Sequence, residues 1–98
     1  MDSEHLNSKK RAVLRSHAHH LKPIVTIGKE GLTEGSLKSI NNALNSHELV
    51  KIKAKGHDCN VLAKLIAEHA DCIIVGLIGN IIISFKQNPD QEKSKFSL

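Results

Sequence analysis

The stretch Lys22-Pro-Ile-Val-Thr-Ile-Gly-Lys-Glu-Gly-Leu-Thr33 decides the fold of this 98-residue chain. Its β-branched residues 24–27 predict a short strand that runs straight into the glycine loop, Gly28-Lys29-Glu30-Gly31. Thr33 is a typical N-cap for the helix that follows. The two glycines let another polymer's backbone approach closely, while Lys29 and the positive end of the helix dipole favour an anion. The segment therefore predicts a phosphate-contacting loop between a strand and a helix.

Helices are expected at three places, from apolar spacing and capping residues. The first begins at Ser8, a candidate N-cap, and ends near His20, because Pro23 prevents its continuation. The second follows Thr33 and is amphipathic, and the third follows Asp58 and ends near His69. The apolar residues expected to face inward are Val13, Leu14, Ala18 and Leu21 on the first helix and Val61, Leu62, Leu65 and Ile66 on the third.

The remaining segments predict strands. Residues 49–55 alternate between apolar residues and lysines, which indicates a half-buried strand with the lysines on its open face. Residues 72–77 are almost uniformly apolar and are expected to form a central strand, and Gly79-Asn80 predicts a terminal hairpin. The order of elements predicts one compact α/β domain at residues 8–86, with a four-stranded mixed sheet and about three helices. Residues 1–7 are expected to be frayed and residues 87–98 to form a flexible tail.

Charge and composition favour a polyanionic partner. The chain has 14 Lys and Arg against 10 Asp and Glu, a net charge of +4, and no carboxylate between His5 and Lys29. Its only aromatic residues of the Phe, Tyr and Trp type are Phe85 and Phe96, too few for a platform on which bases stack. With no membrane span or signal peptide in the sequence, we expect a cytoplasmic protein with two reduced cysteines, no membrane partner and no small-molecule substrate.

Two basic groups of side chains each have two interpretations. Arg11, Arg15, His19 and Lys22 share one side of the first helix, and form either a solvated face or a basic stripe beside the glycine loop. Lys51, Lys53 and Lys55 on the open face of their strand contact a ligand or protect an edge strand from aggregation.

Metal binding and catalysis have little support in the sequence. His57, Cys59, His69 and Cys72 have suggestive spacing, but the two pairs lie at opposite ends of one helix, about 15 Å apart. Neither a nucleophile elbow nor a Walker lysine pattern is present. We therefore expect a protein that is not an enzyme, with no catalytic residues, no metal and no cofactor.

The chain resembles the CRM domain, the chloroplast RNA splicing and ribosome maturation module, and more narrowly its stand-alone bacterial form. The resemblance is carried by residues 18–23 (Ala-His-His-Leu-Lys-Pro), 27–33 (Ile-Gly-Lys-Glu-Gly-Leu-Thr), 47–53 (His-Glu-Leu-Val-Lys-Ile-Lys) and the hairpin 78–86. It implies an RNA-binding α/β domain similar to the C-terminal domain of translation initiation factor three, with a glycine loop that contacts RNA as the loop of KH domains does. Phe85-Lys86 stands where the family often has Tyr-Arg, which replaces a bidentate phosphate contact by a point charge.

This resemblance implies an RNA-binding protein that acts in assembly of the large (50S) ribosomal subunit by binding ribosomal RNA precursors in pre-50S particles. The sequence gives no basis for an oligomer, so a monomer is the default expectation. The expected RNA contacts are Gly28, Lys29, Glu30 and Gly31, extended by Arg11, Arg15, His19 and Lys22, and by Lys51 and Lys53. The main alternative is a small basic adaptor that docks on an acidic protein surface. Non-specific DNA binding ranks third, because no recognition helix is apparent.

Overall fold

The computed structural model describes residues 7–90, 92, 94 and 96. Apart from Asn7, the predicted frayed segment lies outside these residues. The elements are α1 (Ser8–Ala18), β1 (Val25–Thr26), α2 (Glu34–His47), β2 (Leu49–Lys53), α3 (Cys59–His69), β3 (Ile73–Ile78) and β4 (Ile81–Phe85). They form the compact α/β fold that the sequence predicts, with three helices and one four-stranded mixed sheet. Among the helices of this part of the chain, none is long and apolar enough to cross a membrane.

The sheet has the strand order β1-β2-β4-β3. β1 and β2 are parallel, and β4 runs antiparallel to both β2 and β3. The expectation of a central strand at residues 72–77 is wrong, because the hairpin returns β4 between β2 and β3 and leaves β3 at the edge. β3 is nevertheless apolar, since side chains on both of its faces pack under helices.

Helices cover both faces of the sheet and make two cores. The larger core lies under α2 and α3, with Ile40, Leu44, Leu62 and Ile66 fully or almost fully buried against the sheet. The smaller core lies under α1. It consists of Leu14, Ala18, Leu49, Val75, Ile83 and Phe85, with Ile81 and Phe96 at its border. Each such Leu, Ile or Phe contributes about 1.5–3 kcal/mol by leaving water, so the sheet is held from both sides.

The helix caps follow the sequence with one correction. Thr33 and Asp58 cap α2 and α3 as predicted, since each side chain accepts hydrogen bonds from the first turn of its helix. The cap of α1 is Asn7 rather than Ser8, with Oδ1 accepting from the Lys10 N–H at 2.8 Å. Both residues are good caps, and local sequence alone does not separate neighbours.

The inward faces of α1 and α3 are narrower than expected. α1 ends at Ala18, before the predicted His20, and only Leu14 and Ala18 are buried on it. Val13 and Leu21 are 42% and 41% exposed. Val61, expected inside, is 54% exposed. The cause is geometric, because a short helix crossing a four-stranded sheet contacts it through one side-chain stripe.

β2 confirms the alternation but not its expected length. Val50 and Ile52 face the larger core, while Lys51 and Lys53 lie on the opposite face. The strand ends at Lys53, so Lys55 belongs to the following turn. Because β2 lies between β1 and β4, its lysines do not protect a sheet edge, and that interpretation is wrong.

The described part of the C-terminal tail folds back onto the domain. The carboxylate of Glu48, a residue only 3% exposed, accepts from the Asn88 N–H at 2.7 Å and the Ser94 hydroxyl at 2.8 Å. The Phe96 ring stands edge-on to Phe85 and His17, with centroids 5.6 and 5.4 Å apart. The buried Glu48 carboxylate thus receives donors from the described part of the tail, while the flexibility of residues 87–98 as a whole stays a prediction.

Candidate nucleic-acid interface

The glycine loop is a tight turn at the carboxyl end of β1. The Gly31 N–H donates to the Gly28 carbonyl at 3.0 Å and closes the turn, with Lys29 and Glu30 exposed at its tip. Gly31 has φ +77°, a left-handed conformation that favours glycine. Apart from its two chain neighbours, no atom of the described residues lies within 4 Å of where a Gly28 side chain would begin. The surface of Gly28 is therefore open to a ligand.

The N-terminus of α2 lies directly behind this turn. Thr33 Oγ1 accepts from the Ser36 N–H at 3.1 Å, and α2 begins at the next residue, Glu34. The partial positive charge of a helix N-terminus therefore lies close to the turn, as the sequence predicts. Glu34 in the first helical turn offsets part of this potential.

Three backbone N–H groups of the loop are available to an anion. Within the described residues, the N–H groups of Gly28, Lys29 and Glu30 donate to no protein acceptor. Successive unpaired N–H groups in a turn form a concavity that binds phosphate oxygens. The loop thus offers hydrogen-bond donors in addition to the Lys29 ammonium.

A groove of about 500 Å³ separates the glycine loop from the connection between β2 and α3. One wall is formed by Thr26, Ile27, Gly28 and Lys29, and the other by Lys53, Lys55, Gly56 and His57. Thr26 pairs with Lys53 in the sheet, so both side chains lie on the same open face. Lys29, Lys53 and Lys55 are all exposed, which makes the groove strongly cationic.

His57 connects the two walls. Its Nε2 lies 2.7 Å from the Gly28 carbonyl oxygen, and because a carbonyl only accepts, Nε2 carries the proton and donates. The sequence presented His57 as a possible metal ligand, and its contact with the glycine loop was not foreseen. One feature of the sequence could have indicated this contact. His57 directly precedes Asp58, the N-cap of α3, and this position puts it at the same end of the sheet as the glycine loop.

Lys51 lies further from the loop on the same face as Lys53. Its ammonium donates to the Leu21 carbonyl at 3.0 Å, and the side chain is half-buried. Lys22 and His19 lie nearby in the connection between α1 and β1, and both are exposed. The His19 ring packs edge-on against His20, with centroids 5.4 Å apart. Lys22 and Lys51 line one surface cleft together, so these two basic side chains lie close to each other.

Arg11 and Arg15 lie at β3, away from the glycine loop. The Arg11 guanidinium donates to the Ile74 carbonyl at 2.8 Å and that of Arg15 to the Val75 carbonyl at 3.3 Å, both in β3. β1 and β3 are opposite edges of the sheet, about 14 Å apart over three strand spacings. The expectation of a stripe beside the glycine loop is therefore wrong for these two arginines. Helical periodicity places them on one face but does not say which strand that face meets.

The cysteines and histidines are dispersed. In residues 7–90, 92, 94 and 96, no group of three or more His, Cys, Asp or Glu side chains is arranged to hold a metal ion. Cys59 and Cys72 are both free thiols. Burial raises the pKa of the Cys72 thiol to about 11, with a smaller contribution in the same direction from the Asp71 carboxylate. Cys72 is thus a protonated, weakly nucleophilic thiol at neutral pH.

Comparison with known proteins finds a family that this chain matches. The model of the CRS1/YhbY (CRM) domain matches residues 6–86. A Haemophilus influenzae protein named "RNA-binding protein" is 38% identical over 96 residues, which cover 95% of this chain and 94% of that protein. "Probable RNA-binding protein YqeI" of Bacillus subtilis is 33% identical over 91 residues, covering 90% of this chain and 95% of that protein.

A solved structure has the same fold. It is the solution structure of the hypothetical protein SAV1595 from Staphylococcus aureus, for which RNA binding was suggested. The two structures superpose with a TM-score of 0.79 at 28% sequence identity, covering 94% of this chain and 99% of that one. Fold and sequence therefore agree on the family.

Proposed function

Because the chain belongs to the CRS1/YhbY (CRM) domain family, we propose that it binds RNA through the groove beside the glycine loop and acts in maturation of the large ribosomal subunit. Its ligand is ribosomal RNA precursor in pre-50S particles, and its role is that of a chaperone or scaffold without chemistry. The observation that carries this proposal is that Lys29, Lys53 and Lys55 line one groove together with Gly28, beside loop N–H groups that donate to no acceptor in the described residues.

The groove suits a sugar-phosphate backbone. Gly28 presents no side chain, so a phosphate can reach the N–H groups, while the lysines supply charge from both walls. Affinity then depends on salt, with a slope of about −0.7 in log affinity against log salt per phosphate contacted on a single strand. Such contacts fix position and give affinity, whereas base edges would have to be read by other groups.

The ribosomal context follows from the resemblance to the stand-alone bacterial form of the family. The named relatives add support for the ligand class, since two of them carry RNA binding in their names. The net charge of +4 agrees with a polyanionic partner.

The direct test is Gly28→Asp, measured by binding to in vitro transcribed large-subunit ribosomal RNA. The variant folds, because the position has open space and no left-handed φ, but its carboxylate occupies the phosphate position. We expect affinity to fall by more than about tenfold, equivalent to about 1.4 kcal/mol. Asn42→Asp, which adds the same charge at an exposed position of α2, is the control and should bind like the parent. Equal binding by Gly28→Asp and the parent would refute the site.

The cellular role is tested by sedimentation of extract through sucrose gradients at low and high salt, with the protein followed by a tag. We expect salt-sensitive migration with large-subunit precursors that disappears after nuclease treatment. A complex that survives nuclease would indicate instead the adaptor role, docking on an acidic protein surface. Protein that stays at the top of every gradient would contradict the ribosomal part of the proposal.

A further inference from the structure

His57 contacts Gly28 of the loop from across the groove, and its ring lies beside the position that a Gly31 side chain would take. Its Nε2–H donates to the Gly28 carbonyl at 2.7 Å. Its Cε1 atom lies 3.7 Å from where a side chain at Gly31 would begin, an ordinary packing distance. The imidazole is half-buried, so it faces the loop on one side and the groove on the other.

The backbone holds His57 in place. It follows Gly56, whose φ of +88° turns the chain sharply after β2, and its own N–H donates to the Ala54 carbonyl at 3.2 Å. Asp58, the next residue, caps α3. The imidazole therefore projects from a segment fixed at one end by the sheet and at the other by a helix.

The Gly28 carbonyl determines where the Lys29 N–H points. The peptide bond between these residues is planar and trans, so its N–H is directed opposite to its C=O. The carbonyl is held on the protein side by two donors, the Gly31 N–H and His57 Nε2. The Lys29 N–H consequently points away from these contacts, and it has no acceptor in the described chain.

We propose that His57 is a positioning residue of the RNA site, which fixes the Gly28–Lys29 peptide so that the Lys29 N–H is presented to a phosphate of the bound RNA. This inference rests on the proposed function and adds to it a residue of the opposite wall that acts through the glycine loop. A fixed donor binds an anion better than a mobile one, because less conformational entropy is lost on binding.

The test compares His57→Ala with His57→Gln, since the Gln side-chain amide can reach the Gly28 carbonyl in place of Nε2. We expect His57→Ala to weaken binding to in vitro transcribed large-subunit ribosomal RNA about tenfold, and His57→Gln to remain within about threefold of the parent. His69→Ala, at the far end of α3 and about 15 Å along the helix from its first residue, is the matched control and should not change binding.

A second measurement does not involve RNA. Hydrogen exchange of the Gly31 amide reports on the turn, because that amide donates to the same Gly28 carbonyl. We expect faster exchange in His57→Ala and recovery in His57→Gln. Unchanged exchange in His57→Ala would overturn the positioning role.

Combining His57→Ala with two different substitutions of Lys29 shows whether His57 positions the Lys29 N–H or contacts RNA directly. Lys29→Gln keeps the Lys29 N–H, so adding His57→Ala should weaken binding further. Lys29→Pro removes that N–H while proline suits the second position of a turn, so adding His57→Ala should have no further effect. Equal losses in both backgrounds would mean that His57 contacts RNA independently, against the inference.

The outcomes also distinguish this inference from the proposed function. If Gly28→Asp weakens binding and His57→Ala does not, the RNA site stands and the positioning role fails. If neither variant changes binding, the RNA site itself is wrong.

Discussion

The Lys51 ammonium donates a hydrogen bond to the main-chain carbonyl of Leu21 at 3.0 Å. The contact joins β2 to the connection between α1 and β1, and the Lys51 side chain is half-buried there. Lys53 follows on the same face of β2 but is exposed and borders the groove. Lys51 and Lys53 occupy equivalent positions in the alternation of apolar residues and lysines along β2, but their side chains have different surroundings.

We expect substitution of Lys51 to affect stability and substitution of Lys53 to affect RNA binding. Lys51→Met should lower the free energy of unfolding by about 1 kcal/mol, because the Leu21 carbonyl loses its donor. Lys53→Met should leave stability nearly unchanged and reduce the salt slope of RNA binding by about 0.7. Urea unfolding followed by circular dichroism gives the stability, and binding titrations at several salt concentrations give the slope. The reverse pattern would mean that Lys51 is the RNA contact.

The two glycines of the loop should also differ. Gly31→Ala places a side chain at φ +77° and should destabilise the protein by about 1–2 kcal/mol. In Gly28→Ala the new methyl group would have no atom of the described chain within 4 Å apart from its two chain neighbours, so the variant should unfold at nearly the same urea concentration as the parent. An equal loss of stability in both variants would show that Gly28 also has a structural role.

Arg11 and Arg15 should contribute to stability more than to RNA binding. Removing both guanidinium groups in Arg11→Met/Arg15→Met should lower the free energy of unfolding by about 1–3 kcal/mol, because α1 loses its side-chain bonds to β3. Lys9→Met on the exposed side of α1 is the control. If the double variant lost as much RNA affinity as Lys53→Met and kept the stability of the parent, Arg11 and Arg15 would be RNA contacts and this prediction would be wrong.

Cys72 predicts a pH dependence in the alkaline range. Burial holds its folded pKa near 11, above the value of about 8.5 for a free thiol, so the folded state retains the proton. The stability associated with the protonated thiol is fully present below about pH 8.5 and is lost as the pH rises towards 11. A Cys72→Ala variant should lose less stability over this interval than the parent.

The same thiol should react slowly under native conditions. At pH 7.5 we expect alkylation of Cys72 by iodoacetamide to be about a hundredfold slower than that of free cysteine, because little thiolate is present. Mass spectrometry of the Cys72 peptide measures the rate. Alkylation as fast as in urea would contradict the burial of this side chain.

The predictable parts of this protein are those that local chemistry determines. Thr33 and Asp58 were predictable as caps because a capping side chain bonds to its own helix. The glycine loop was predictable as a turn between a strand and a helix, whereas the left-handed φ of Gly31 is a finding of the structure. The position of β3 was not predictable, since apolar residues report burial of a strand's faces and not its lateral neighbours. His57 forms a hydrogen bond with Gly28, which lies 29 residues earlier in the chain, and no rule of sequence spacing predicts such a contact.

β3 is an edge strand of the sheet, and the main-chain N–H and C=O groups of an edge strand can pair with a strand of another chain. At Ile74 and Val75 the carbonyls of β3 already accept from arginines of α1, beside an irregular register between Ile74 and Gly76. A foreign strand would have to displace these guanidinium groups before it could pair there. We therefore expect α1 to limit the pairing of a foreign strand at this part of the β3 edge.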